Sequence, residues 1–540
     1  MKKDESDLAS AVKLEIDDEG NLGHHNDGAV IFWSSSSSSC SSSSSRGDCN
    51  GEDPDPYQTT WPQSYRQSID VFSSELSQKV ELLKDSGFAR VSNSFIRSSF
   101  AFDREELNSP TQSLLPRASE RNHVGADLAF VDTVPPKISQ TFSSYNDLPP
   151  TRQCSTAQAL VNGMNVLCGV GILSIPYAVK EGGWLGLILL FGMGSISFYT
   201  GILLKRCLDS SPGLKTYPDI GHAAFGLAGR VFISIVLYLE LYGCCVEFIT
   251  MVGDNLESIF PNARTNFLGF DLSAQQSFAV ATAIVVLPTV WLRNLSLLSY
   301  ISAGGVFLSI LVTICLLWVG VVDKVGFHSG GTALNLVDLP IAIGLYGFCY
   351  SGHSVFPNIY SSMKNPSRFP IILLICFILS TILYSGVATA GYLIFGDSLK
   401  SQFTLNMPHQ YLSSQIAVWT TVISPLTKYA LTITPIALSI EELLPSSGNL
   451  CFIMVLIRTL LVLSTLVVAL TFPYFAYVMA LLGSVFAMLL ALILPCACYL
   501  SIKRKSATYL QVSVCTLIIM VAVASSFIGS YSSIEQMLAQ

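Results

Sequence analysis

The chain holds 540 residues, of which 51% are hydrophobic and only 12% charged, with a formal net charge of −7 and a mean hydropathy of +0.52. A soluble domain carries about 25% charged residues, so these figures exclude that class and imply a polytopic membrane protein. The acidic balance comes largely from the N-terminal part, and nothing in it suggests a nucleic-acid surface, so no nucleic-acid partner is expected.

Residues 1–150 contain no apolar run long enough for a signal peptide or a membrane span. They carry Trp33, a serine tract at Ser34–Ser39 and Ser41–Ser45 interrupted by Cys40, and a Pro149-Pro150 end. Such a composition buries too little apolar surface to offset the entropy of ordering. We read it as a disordered cytosolic tail, with room for a short amphipathic helix at Val71–Leu83, followed by a transmembrane domain over 151–540. No motif in it distinguishes a spacer from a phosphorylatable or sorting tail.

Thr156–Ala178 is long and apolar enough to cross a bilayer, for which roughly 20 residues suffice. Its centre reads Gly169-Val170-Gly171, and Pro176 follows. Glycine weakens a helix and proline removes a backbone donor, so the span should break near mid-membrane. Unwound backbone at that depth requires protein or a water-filled cavity around it. An interrupted first span is the sequence pointer to a transporter's substrate site.

From Ser155 onward eleven apolar spans are expected, all helical: 155–179, 184–204, 230–252, 276–292, 297–322, 338–360, 370–396, 412–438, 451–471, 474–500 and 508–530. The sixth repeats the signature of the first, with Gly344, Gly347 and Gly352 followed by Pro357. Spans 1–5 and 6–10 have similar lengths, and each unit opens on a Gly/Pro-interrupted helix, the pattern of inverted repeats. The alternative is that these glycines only let helices pack closely, as in a channel or scaffold.

Loop charge sets orientation. With a cytosolic N-terminus the inner loops hold Lys205, Arg206, Lys215, Arg230, Arg293, Lys364, Arg368, Lys503, Arg504 and Lys505, against Lys180, Arg264, Lys324 and Lys400 outside. That is ten to four, so the N-terminus is cytosolic and the sequon Asn294-Leu-Ser296 stays unmodified. The fourteen cysteines show no ligand spacing with histidine, so neither a metal site nor a disulfide framework is expected.

Two runs carry a resemblance. GVGILSIPYA in the first span with the EGGWLG turn at Glu181–Gly186, and YGFCYSGHSVFPNIYSSMKNP in the sixth, resemble the amino acid/auxin permease family. Within it they are similar to the plant vacuolar amino acid transporters, relatives of the vesicular inhibitory amino acid transporter. The resemblance covers 155–530. It implies an all-α membrane fold of the bacterial leucine transporter type: a 5+5 inverted repeat with helices 1 and 6 broken, plus one extra helix. It also implies amino acid transport coupled to protons, at the vacuolar membrane.

At the first break Gly169, Val170, Gly171, Ile172 and Leu173 offer backbone donors to a substrate carboxylate, because a half-helix N-terminus presents free N–H groups and a positive dipole end. Asn165 precedes the break, as does Asn162; either can bond freed carbonyls or only a neighbouring helix. At the second break, carbonyls around Tyr346–Ser351 can accept from a substrate ammonium, with Phe348 and Tyr350 closing over it. Charges inside spans mark function by default. Glu240 and Glu247 lie seven residues apart on span 3, Lys428 is in span 8 and Arg458 in span 9. Glu240 is the first candidate for proton coupling and His353, whose ordinary pKa near 6.5 suits uptake from an acidic compartment, the second. The competing readings are a Glu240–Lys428 ion pair and a neutral His353 bonded to a carbonyl. By the same resemblance, related sodium-coupled transporters hold sodium between the broken first helix and helix 8. Lys428 would supply a fixed cation there, with Thr427 and Thr432 as available hydroxyls.

No nucleophile–base pair, phosphate loop or cofactor motif appears, so the chain reads as a secondary carrier of neutral amino acids and not an enzyme. Its partners are the amino acid, protons and the bilayer, with no cofactor. Antiport at the vacuolar membrane is the expected mode. The alternatives are an amino acid sensor with little flux, and a proton symporter at another membrane such as the plasma membrane.

Overall fold

The computed structural model describes residues 154–539 apart from 268–269, 293–303, 324, 329 and 444–449. The N-terminal tail, the sequon at Asn294 and the start of the fifth expected span lie outside the described residues. Among the described residues, eight helices are long and apolar enough to cross a membrane, and two shorter apolar helices accompany them.

The first segment is built in three pieces: α1 (Thr156–Leu167), a 3-10 turn (Val170–Leu173) and α2 (Ile175–Gly182). A reciprocal capping box between Ser155 and Gln158 starts α1, satisfying donors that would otherwise be orphaned. Pro176, at the start of α2, sits where its missing N–H costs nothing. Gly183 ends α2 at φ 76°. A Cβ there would lie 2.7 Å from the Ala333 carbonyl oxygen, so the turn needs glycine for space as well as for its dihedral.

Next come α3 (Gly186–Leu208) and α4 (Tyr217–Ile259). The latter starts well before the apolar run that betrays it. Thr216 and Asp219 form a capping box, and the buried Arg230 guanidinium lies 3.7 Å from the Asp219 carboxylate. Arg230, expected in a loop, is therefore inside the helix and buried. Gly226, at φ 69° and ψ −158°, kinks the entry turn away from the spanning part. A small antiparallel pair, β1 (Thr265–Phe267) and β2 (Phe270–Leu272), aligns Thr265 with Leu272; the periodicity of the apolar spans does not reveal it. Then follow α5 (Ala274–Trp291) and α6 (Gly305–Val321).

The second interrupted segment consists of α7 (Leu339–Cys349) and α8 (Phe356–Ser362), separated by a turn over 350–355. The remaining helices are α9 (Phe369–Phe395), α10 (Leu412–Glu442), α11 (Leu450–Thr471), α12 (Phe475–Ile502) and α13 (Tyr509–Ala539). A 3-10 turn at Phe403–Asn406 precedes α10, and the middle of α12, Gly483–Ile493, winds as a π-helix. Helix α4 packs against α10 and α5, and α7 packs against α2 and α12. The two interruptions thus meet in the interior, flanked by α4, α6, α9 and α10. Arg458 of α11 is paired with Glu441 of α10 at 2.8 Å and donates to the Val290 carbonyl at 2.8 Å, so this intramembrane charge ties helices together.

Candidate substrate site between the two interruptions

At the first break Cys168 leaves the helix at φ −77°, ψ 53° and Gly169 is extended. The carbonyls freed there have partners: Ser309 of α6 donates to Cys168 O at 2.8 Å, and Tyr384 of α9 donates to Leu167 O. The amides are treated differently. No backbone carbonyl among the described residues accepts from Val170 or Gly171, the two N–H groups that open the 3-10 turn. The break therefore presents donors and hides acceptors.

At the second break the carbonyls of Tyr346, Phe348 and Tyr350 accept from amides of the same turn, and Cys349 O lies 3.1 Å from the Tyr384 hydroxyl. These groups are already engaged, so the expected row of free carbonyls over Tyr346–Ser351 is largely taken up locally. What the turn offers instead is a side chain: Ser351 Oγ donates to Glu240 Oε1 at 2.5 Å. One tyrosine, Tyr384, reaches both breaks, and nothing in the sequence around it signals that role. Gly171 also brings the breaks together, since a Cβ there would lie 2.7 Å from Cys349 Sγ.

Between the breaks lies a cavity of ≈ 210 Å³ bordered by Asn165, Gly169, Val170, Gly171, Phe348, Ser351, Glu240 and Lys428. Its size is below the ~300–1,000 Å³ of pockets for drug-sized ligands, which suits a small solute. Leu241, Phe248 and Leu431 give it apolar walls, and Cys244, Ser354 and Thr432 are also in the lining; Leu241, Cys244, Phe248 and Leu431 escape a reading of the sequence because they stand on helices without breaks. Ile172 and Leu173 face a smaller adjoining cavity of ≈ 30 Å³, shared with Thr420, Thr421 and Ser424 of α10. Lys428 borders both. Thr427 lines neither cavity, and its hydroxyl donates to Ser424 O at 2.8 Å.

Two expected residues stand apart. Tyr350 is fully buried, stacked on Phe377 at 5.9 Å, with its hydroxyl 2.8 Å from Thr381; it packs the core and does not border the cavity. His353 is also fully buried, with Nε2 3.0 Å from Thr200 Oγ1 and 3.1 Å from Ser197 O on α3, and it too lies outside the cavity lining. The helical register across 350–355 is lost, so residues there do not face where an unbroken helix would turn them.

The polar groups that border the cavity are incompletely paired. Among the described residues no ion pair joins Glu240 to Lys428, and the Lys428 ammonium has no hydrogen-bond partner. Asn165 Oδ1 is buried without a partner. Both Asn165 Oδ1 and Lys428 Nζ lie against Gly305 of α6, where a Cβ would crowd them. The cavity is thus bordered by backbone donors and an ammonium, and by a carboxylate with a serine hydroxyl.

Comparison with known proteins decides the family. The family model described as "Transmembrane amino acid transporter protein" matches residues 152–535. The chain belongs to that family. It is similar to Amino acid transporter AVT1C of Arabidopsis thaliana, 53% identical over 498 residues, covering 90% of each chain. It is also similar to the Vesicular GABA transporter of Caenorhabditis elegans, 26% identical over 375 residues, covering 65% of this chain and 74% of that one. Among solved structures, that of MhsT in complex with L-phenylalanine aligns at a TM-score of 0.45 and 11% identity, over 69% of this chain and 98% of that one. The resemblance seen in the sequence runs is thereby established at the level of the family, and with it an all-helical, multi-pass membrane protein of an amino acid transporter family.

Proposed function

We propose that this family member is a secondary active carrier that moves neutral amino acids across the vacuolar membrane in exchange for protons. The observation that carries the reading is that the central cavity is bordered by groups of both signs, Glu240 and Lys428, with no ion pair joining them among the described residues. The unengaged amides of Val170 and Gly171, with Lys428 bordering the same cavity, suit a carboxylate. Glu240 with Ser351 suits an ammonium. The walls formed by Leu241, Phe248, Phe348 and Leu431 favour an uncharged side chain, because burying a third charge without a partner is costly.

Proton coupling rests on Glu240, a carboxylate inside the bilayer whose one hydrogen-bond partner among the described residues is a serine. Intramembrane carboxylates of this kind commonly mark proton relays. Exchange is the sign suited to filling an acidic lumen, since protons leaving down their gradient can then drive the amino acid in. We further read the helices as eleven spans in two five-span units, each opened by an interrupted helix, with α13 as the extra one. The N-terminus is placed in the cytosol: with Arg230 withdrawn from the loops, the charge balance is nine to four and keeps its sign. Lys428, bordering both cavities, takes the place of a coupling cation next to the first break.

Purified protein in vesicles with an acidic interior tests this. Neutral amino acids should accumulate inside, and a protonophore should abolish the accumulation. Equilibration indifferent to the gradient would overturn the coupling, and binding without flux would overturn the carrier.

A further inference from the structure

Helix α4 carries three acids at equal spacing: Glu240, Glu247 and Asp254. Seven residues return a helical side chain to within about 20° of its starting direction, roughly 10 Å further along the axis. The three therefore form one stripe. Glu240 borders the central cavity. Asp254 borders a different cavity of ≈ 800 Å³, beside Lys180, Glu257, Lys400 and His409. The two cavities share no lining residue, and Glu247 lies between them along the helix.

Glu247 is only 1% exposed, and neither of its carboxyl oxygens has a hydrogen-bond partner among the described residues. Other acids buried in the helices are tied down. Asp219 is paired with Arg230 and Glu441 with Arg458. Asp254 accepts from Gln275 at 3.3 Å and Gln402 at 3.1 Å. A carboxyl that holds nothing together is a poor structural element, since burying it is costly and nothing offsets the cost.

We propose that Glu247 is the middle carrier of a proton route along α4, joining the cavity at Asp254 to Glu240 at the substrate cavity. The inference rests on the proton-coupled reading above and deepens it. In each step an O–H bond of one carboxyl breaks, the proton passes through bridging water, and an O–H bond forms on the next carboxylate. The donor is left ionised and takes the next proton, so charge balances without any redox partner.

The groups around the stripe are few. From α10, Lys428 borders the cavity at the Glu240 end, and Tyr429 is bonded to Thr465 of α11. On α4 itself, Tyr242, Cys244 and Cys245 stand between Glu240 and Glu247. Helix α5 and the turn at Phe403–Asn406 contain no titratable residue. Helix α11 contributes Arg458, already held by Glu441. Helix α12 brings Tyr477 to the Asp254 cavity, where Tyr177 and Tyr474 also lie, and its Cys496, Cys498 and Tyr499 belong to its far end. Along α3 the titratable residues, Tyr199 and Lys205–Cys207, lie in its second half. None of these is paired with Glu247.

The test uses the full chain in vesicles, as wild type, Glu247→Gln and Glu247→Asp, with three readouts: accumulation driven by a pH gradient, substrate exchange without a gradient, and thermal stability in detergent. Wild type should accumulate substrate. Glu247→Gln should lose accumulation yet keep exchange and melting temperature, and Glu247→Asp should recover part of the accumulation. If wild-type transport ignores the gradient, the proton-coupled reading itself fails. If wild type is coupled and Glu247→Gln is coupled equally well, the route fails while that reading stands. Parallel loss of exchange, or a variant that does not insert or melts lower, would show the carboxyl to be structural and overturn the route.

Discussion

The two interruptions carry the same signature, glycines followed by proline, yet they offer opposite chemistry. The first unwinds through an extended Gly169 into a 3-10 turn, so its carbonyls are taken by Tyr384 and Ser309 while two amides have no backbone acceptor among the described residues. The second folds back on itself over 350–355 and consumes its own carbonyls. What it contributes is Ser351, which engages Glu240. A Gly/Pro break thus says where a helix opens. Which backbone groups become available depends on the φ and ψ values adopted inside the break, and on which neighbours reach in.

The sharpest way to break this comparison is at Gly171, where the two interruptions touch. Gly171→Val should abolish transport and cost about 1–3 kcal/mol of stability through overpacking against Cys349. The collision is with the second segment, so Cys349→Ala in the same chain should return part of the lost stability, measured as thermal melting. Gly169→Val provides the contrast. A Cβ there meets nothing nearer than Val166 O at 3.8 Å, so this variant should melt like wild type while substrate binding weakens. Equal melting losses at the two positions would remove the distinction.

Glu240→Gln comes next in size. It leaves a partner for Ser351 but removes the exchangeable proton, so accumulation driven by a pH gradient should fall far more than exchange. Equal losses of both would make Glu240 a structural residue of the second break. Lys428→Met should turn sodium-independent uptake into sodium-dependent uptake, if the ammonium stands in for a coupling cation beside the first break. Unchanged transport in that variant would end the idea.

The smallest effect is expected from Tyr384→Phe. It leaves Leu167 O and Cys349 O without their donor, a loss of roughly 1–3 kcal/mol for buried acceptors, visible as a lower melting temperature with substrate selectivity retained. Wild-type melting would mean that the breaks are held by other contacts.

Much of the scaffold was legible. The apolar spans, the two breaks and the intramembrane acids and lysine follow from local rules: length against bilayer thickness, the helix-breaking chemistry of glycine and proline, and the cost of charge in lipid. Asn165, Gly169, Val170, Gly171, Phe348, Ser351, Glu240 and Lys428 border the cavity, and each was marked by its nearness to a break or by its charge. Tyr350 and His353 were marked by the same nearness, yet both turn into the packed core beside α3 and α9.

By itself, then, the amino-acid order determined that the chain is a series of apolar helices, where two of them unwind, and which charges lie within them. Those properties are set within a few residues along the chain. Only the tertiary structure decided that Tyr384 clasps both breaks, that Leu241, Phe248 and Leu431 wall the cavity, and that Glu240 meets Ser351 rather than Lys428. Such contacts join residues tens to hundreds of positions apart, as Tyr384 with Cys349 and with Leu167, and they depend on how each helix is rotated about its axis, which packing against its neighbours selects.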